Sequence, residues 1–368
     1  TPLLLMQVLC VERVLTVYGM THVVLVYALL SRILSVLCSV IPVIFFNTGV
    51  PGAIIGLTLA SFGSFLVGMR LLTLPFKDVT RRKTDLTTAD ILRFSMPVFS
   101  SSLYGFVIGS ASQFFVSRYL GIENFAMFAN GYRELPIAGI VIGAVAGILL
   151  PEFSRMTKGG SDSKQYLVLW KNVVLKSAAV IYPFSLYCCI FAPEIMGVLY
   201  GTVYREAADL FRIVTIINLV RIVPYGPIMF ALGKGKIFAK AHLVTALLLL
   251  GLDFLCVTFF PSLSAIAIIA TTITVFCLVV LMVSTARLLN TGLLGLMPWK
   301  SMFKILSVST FSCFLGSCAV NLIGVTRDFP ALLSGFLISI VIYLPLSYIA
   351  GINYARLLKP LVSTNQRK

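Results

Sequence analysis

The chain has 368 residues, of which 59% are hydrophobic and 11% charged, against usual shares of roughly 45–50% and about 25% in soluble domains. Its formal net charge is +16. This composition excludes a soluble globular domain, and because the basic residues lie between apolar runs it also excludes a nucleic-acid-binding protein; the charge follows membrane topology instead.

Apolar runs of about 20 residues match a hydrocarbon layer roughly 30 Å thick, and no series of short alternating segments suggests a barrel, so the expected class is an all-α integral membrane protein. The predicted spans, in chain order, are 22–46, 50–72, 94–117, 125–150, 173–192, 210–231, 241–259, 264–286, 305–323 and 330–350. Residues 1–10, TPLLLMQVLC, read as the tail of a further helix, and the chain begins on Thr, so a fragment is expected. Twenty of the 29 Lys and Arg residues fall in one set of alternate loops, and only Arg118, Arg205 and Arg327 fall in the other. The positive-inside rule then puts the 73–93 loop and the C-terminus on the cytoplasmic side, with the chain as a multi-pass protein of the inner (cytoplasmic) membrane. All eight cysteines lie in or beside apolar runs without metal-ligand spacing, so neither a metal site nor a cofactor is expected.

An internal repeat organises these spans. THVVLVYALLSRILSVLCSV at 21–40 resembles AHLVTALLLLGLDFLCVTFF at 241–260, with His22 matching His242 and Arg70-Leu71-Leu72 matching Arg287-Leu288-Leu289. If the second unit begins near Phe94, about 127 residues are expected to precede this chain, and the intact protein has fourteen helices.

The block from Phe94 to Met156 carries more polar residues than a lipid anchor needs. It holds Gln113, Asn130, Arg133, Glu134 and Pro136, together with P-x-F-S-S-S at 97–102, S-x-F-F-V-S-R-Y-L-G at 112–121, N-G-Y-R-E-L-P at 130–136 and L-L-P-E-F-S-R at 149–155. With F-A-L-G-K-G-K at 230–236, these motifs resemble the oligosaccharide (O-antigen) flippases of the multidrug/oligosaccharidyl-lipid/polysaccharide exporter superfamily. The resemblance implies two pseudo-symmetric helical bundles of the MATE-like flippase fold, enclosing a cavity that opens alternately to each side, plus an extra helix pair. Mapped on this chain, 1–72 is the remainder of the N-terminal bundle, 73–93 the cytoplasmic loop between bundles, 94–286 the C-terminal six-helix bundle, 287–350 the extra pair and 351–368 a cytoplasmic tail. The implied cargo is a polyprenyl-diphosphate-linked oligosaccharide, with Na⁺ or H⁺ coupling and membrane lipids as the other partners. Many relatives carry an acid about where Gln113 stands, which puts a coupling role there in doubt.

Basic residues inside the spans separate by depth. Arg70, Lys176 and Arg212 lie near helix ends and can snorkel to the interface. Arg32 and Arg221 lie about ten residues from either end of their spans, near the bilayer centre, where an unaccompanied Arg costs at least roughly 2.5–3.5 kcal/mol. Each is expected to face a wet cavity, where a guanidinium offers forked donors to a diphosphate, or to form a structural ion pair, for example with Asp253 or Glu134. Asn130 and Glu134 are expected to share a helix face at i, i+4, and Arg133 to line the same cavity with Gln113. Pro136 removes a backbone donor, and Pro224 and Pro227 follow Arg221 closely enough to bend or break its helix, which makes all three candidate hinges. Asp253 and Glu134 are the candidate coupling-ion acids. The stripes Gly105/Gly109 and Gly139/Gly143/Gly147 predict close helix packing.

Two other functions compete. A cation-coupled multidrug exporter of the same fold should favour acids over arginines in its cavity. A membrane glycosyltransferase or polymerase of the same pathway needs catalytic groups in sizeable external loops, and those at 118–124, 260–263 and 324–329 are short. No HExxH or GxSxG occurs, and GKGK at 233–236 lacks the full phosphate-loop pattern, so no catalytic residue is assigned and no enzyme is expected.

Overall fold

The computed structural model describes residues 11–12, 14–16, 18–77, 87–160, 162–352 and 354. The helix tail expected at 1–10, Arg13, residues 78–86 of the joining loop with Arg81, Arg82 and Lys83, and residues 355–368 of the tail lie outside the described residues. Among the described residues there is no strand, and nine helices are long and apolar enough to cross a membrane. The chain divides into two units, Thr1–Thr87 and Thr88–Lys368.

The first unit is a helix pair, α1 (Thr21–Phe46) and α2 (Gly49–Leu71). Asn47 takes the left-handed conformation that closes α1, and Thr48 Oγ1 donates to the Pro42 carbonyl at 2.8 Å. A seam of small residues on α2, namely Gly56, Ala60, Ser61, Ser64 and Gly68, is the face it buries. Small side chains let the backbones approach, which matters in lipid because dispersion contacts rather than water expulsion hold helices together. A Cβ on Gly56 would collide with the Cys38 carbonyl of α1, and the Tyr27 hydroxyl crosses the seam to donate to the Ser64 carbonyl at 2.8 Å. Beside the seam lies an apolar pocket of about 580 Å³.

The second unit contains α3 (Thr88–Phe115), α4 (Ile122–Gly131), α5 (Pro136–Lys158), α6 (Ser163–Ile190), α7 (Ala192–Tyr200), α8 (Ala208–Val220), α9 (Gly226–Ala231), α10 (Gly235–Phe259), α11 (Leu263–Leu288), α12 (Leu293–Leu296), α13 (Trp299–Ile323) and α14 (Asp328–Ile349). Its core is filled by large fully buried side chains, Trp170, Phe128, Phe153, Met196 and Ile217 among them. Helix α10 packs along α3 and α11, while α13 packs on α6 and α14. An ion pair between Arg205 and Asp328, the first residue of α14, ties the segment between α7 and α8 to the start of α14. The hydrogen bond from Arg205 to Asp328 raises the arginine's proton affinity further. The segments matched by the internal repeat are built alike: α1 with α2, and α10 with α11, are consecutive, mutually packed pairs.

Two expected spans are not continuous helices. The span expected at 125–150 stops at Gly131 and restarts at Pro136. Proline cannot donate to the preceding turn, and it forces the residue before it to extended geometry, as Leu135 shows with φ −64° and ψ 122°. The span expected at 210–231 stops at Val220 and restarts at Gly226, with Pro227 at the start of α9, so the break anticipated from Pro224 and Pro227 is present.

The glycine stripes fall elsewhere than expected. A Cβ added at Gly105, Gly109, Gly139, Gly143 or Gly147 would meet no atom within 4 Å. The buried residues of α5 are Ala138, Leu149 and Phe153, so its glycines are turned by roughly 75° to 155° round the helix from the centre of the packed face. Spacing put them on one face, but whether that face meets a neighbour depended on where the large apolar residues turned. The close contacts are made instead by Gly131 against Ala207, Gly316 against Ser339 and Gly335 against Phe191.

Candidate functional site

The second unit encloses a cavity of about 440 Å³ bordered by both helix breaks. Helix α3 contributes Gly105, Gly109, Ser112 and Gln113, the first break contributes Tyr132, Arg133 and Glu134, and Arg221 enters from the second. The rest of the wall includes His242 and Thr245 of α10, Thr274 and Cys277 of α11, and apolar side chains such as Phe128, Val214, Ile217 and Leu281. Because Gly105 and Gly109 have no side chain, the α3 wall presents bare backbone to the cavity.

The two breaks meet through one ion pair, from the Arg221 guanidinium to the Glu134 carboxylate. Each residue reaches it because its backbone has left the helix. Arg221 closes α8 with φ −87° and ψ 70°, its N–H still donating to Ile217 at 2.8 Å, while Glu134 lies in the four-residue gap between α4 and α5. The side chains are 27% and 42% exposed, so the pair stays open to a competing anion. The Arg221 Nε is buried and has no hydrogen-bond partner among the described residues, which leaves a spare donor on the same guanidinium.

Behind the wall, the Ser112 hydroxyl donates to Asp253 Oδ2 at 2.7 Å. Asp253 is fully buried, and its Oδ1 has no partner among the described residues. Among the described residues no group of three or more His, Cys, Asp or Glu side chains is placed to hold a metal ion.

Four of the residues singled out from sequence, Gln113, Arg133, Glu134 and Arg221, line this cavity. Asn130 is not on its wall, and its expected i, i+4 face with Glu134 does not form because α4 ends at Gly131, three residues before Glu134. Of the ion pairs weighed for Arg221, the one to Glu134 forms and the one to Asp253 does not. Arg32 belongs to the other unit, exposed in the middle of α1, with no acid paired to it among the described residues. Arg212 is held near its helix start by Asp209 at 2.8 Å.

Sequence reasoning missed two wall residues. Tyr132 stacks on Phe128 with ring centroids 5.0 Å apart and shares a 3.0 Å hydrogen bond with Thr271 Oγ1. His242 fixes its ring through Nδ1 on the Phe238 carbonyl at 3.0 Å. Both stood in segments already marked, Tyr132 inside N-G-Y-R-E-L-P and His242 as the landmark of the repeat, but neither carries the charge that drew attention to the arginines.

This all-α arrangement is shared with a solved membrane protein. A solved structure of the lipid II flippase MurJ, in an inward closed conformation, superposes on 98% of this chain and 72% of its own with a TM-score of 0.61, at 14% sequence identity. The sequence profile of the polysaccharide biosynthesis proteins matches residues 3–209, more than half the chain, and the protein belongs to that family. No curated protein sequence matches it significantly.

Proposed function

We propose that this protein is a transporter, not an enzyme, which flips a polyprenyl-diphosphate-linked oligosaccharide across the cytoplasmic membrane by alternating access. One observation carries the reading: Arg221, at a helix break in the middle of its span, is paired with Glu134 at a second break, on the wall of a cavity that also presents Gln113 and Arg133. A diphosphate must shed water to cross an apolar layer, and a guanidinium that stays charged at any physiological pH is the side chain suited to receive it. Glu134 keeps Arg221 compensated while the cavity is empty. An arriving diphosphate takes over the exposed side of the guanidinium, so the half-buried cation passes from one anion to another without standing bare. Gln113 and Arg133 face the same space and offer hydrogen bonds to sugar hydroxyls, with Asn130 just outside it.

In this reading Pro136, Pro224 and Pro227 mark the hinges, and Asp253 is the coupling acid, taking H⁺ or Na⁺ on its unpartnered oxygen. Residues 1–72 belong to one bundle, 94–286 form a second, 287–350 the extra pair, and the tail from 351 is cytoplasmic. A cation-coupled drug exporter is disfavoured because the acid on the cavity wall, Glu134, is already engaged by an arginine.

The test is flipping of defined diphosphate-linked sugars in proteoliposomes, with Na⁺ and pH gradients imposed separately. Arg221→Ala is expected to insert normally and to lose flipping, and Arg32→Ala to insert normally with a smaller loss. Normal flipping by both would end this mechanism, and efflux of cationic dyes without lipid flipping would favour the exporter.

A further inference from the structure

At the opposite end of α5 from its proline break, the turn into α6 forms a second, separate pocket of about 740 Å³. Its wall carries Arg155, Lys164, Gln165 and Asn172, and its floor is apolar, with Met156, Val168 and Leu169. The one acid on the wall is Glu152, which accepts a 2.6 Å bond from Arg155 Nη2 and leaves the other guanidinium donors free. Lys164 has no ion-pair partner among the described residues, and it stands in the first turn of α6, where the helix's unpaired N–H groups favour an anion.

The depth of the pocket follows from helix length. Helix α6 has 28 residues and α5 has 23, about 42 and 35 Å, against a hydrocarbon layer of roughly 30 Å. Glu152, Arg155, Lys158, Lys164 and Lys171 all gather at their shared end, which places the excess length there, in the headgroup region, with Val168 61% exposed beside it. Cations and amides at the rim above an apolar floor match a phosphate ester with glycerol and chain carbons beneath it.

We propose that this pocket binds the headgroup of an acidic phospholipid as a resident lipid. Arg155 and Lys164 hold the phosphate, Gln165 and Asn172 take the remaining headgroup oxygens, and Met156, Val168 and Leu169 cover the first chain carbons. The site is independent of the transport reading. Its chemistry also suits free phosphate, and the depth and apolar floor are the reasons for choosing the lipid.

The experiment is native mass spectrometry of the whole chain released from nanodiscs of phosphatidylglycerol and phosphatidylcholine, scoring retained lipid. Wild type is expected to retain phosphatidylglycerol preferentially, and R155Q/K164Q to lower that retention by roughly 30-fold for the two charges removed. The control K236Q/K240Q removes two charges at another helix end and is expected to change nothing. E152Q, which frees Arg155, is expected to raise retention several-fold. Equal retention by wild type and R155Q/K164Q overturns the site, as does an equal fall in K236Q/K240Q, which would mean general surface charge. Displacement of the lipid by millimolar inorganic phosphate alone overturns the choice of a lipid over a free anion.

Discussion

Arg32 and Arg221 are both central in their spans, but they stand in different backbones. Helix α1 runs unbroken through Arg32, so nearby peptide groups are tied to their own turns, the hydroxyls of Ser31, Ser35 and Ser39 bond back to carbonyls of the same helix, and the guanidinium is the one charged group of that stretch. The stretch holding Arg221 is severed at that residue, which brings the side chain round to an acid on a second severed helix and frees backbone groups beside it. A charge at mid-depth is thus not yet a site. A backbone break is what turns it into one, by supplying a defined direction and a partner.

The largest effect that sharpens this contrast is expected from Arg221→Ala, which leaves Glu134 uncompensated and removes the anion receptor. Flipping should fall by roughly 100- to 1,000-fold in proteoliposomes, the scale of losing one preorganised donor to a developing charge. The exchanged pair Arg221→Glu with Glu134→Arg should recover insertion and thermal stability while flipping stays low, because pairing returns but the cation sits on the other break; full recovery of flipping would show that the pair only holds the fold. Next comes Pro224→Ala with Pro227→Ala, which removes the obstacles to joining α8 and α9. Slower flipping by about tenfold is expected, with a higher Tm as helix propensity improves. Arg32→Ala is expected to cost less than Arg221→Ala in the same assay, and an equal loss would break the comparison by making the backbone break irrelevant.

The smallest effects concern packing. Gly56→Ala drives a methyl into the Cys38 carbonyl and is expected to destabilise the α1–α2 pair by about 1–3 kcal/mol in a thermal-shift assay. Gly143→Ala has open space around it and should change stability by less than about 1 kcal/mol, in the stabilising direction of Gly→Ala in a helix.

Much of this was legible in the residues themselves. The all-α membrane class followed from apolar runs of the right length, and the family likeness from motifs between Pro97 and Arg155. The break at Arg221 followed from two prolines in four residues. Pro136 reads as a candidate hinge without showing that the helix stops before it, because one proline at a helix start and one inside a helix leave the same trace in sequence; the difference lies in whether neighbouring backbone groups find partners, as the Tyr132 N–H does on the Phe128 carbonyl. The pairing of Arg221 with Glu134, 87 residues apart, could only be guessed among acids at similar depth. The glycine stripes misled for a related reason. Periodicity gives a face, and only the assembled core decides which way it looks.

The uncovered stripe of Gly139, Gly143 and Gly147 also bears on motion. Interlocked side chains hold two surfaces in one register, and sliding them means lifting each knob over a ridge. Between Gly139 and Gly147 this side of α5 has no knobs, and Leu150 is the first one beyond them, so a lipid chain or a helix passing over the glycines meets a short smooth track. In the alternating-access cycle proposed above, that track is where α5 would slide with the fewest unlocking steps.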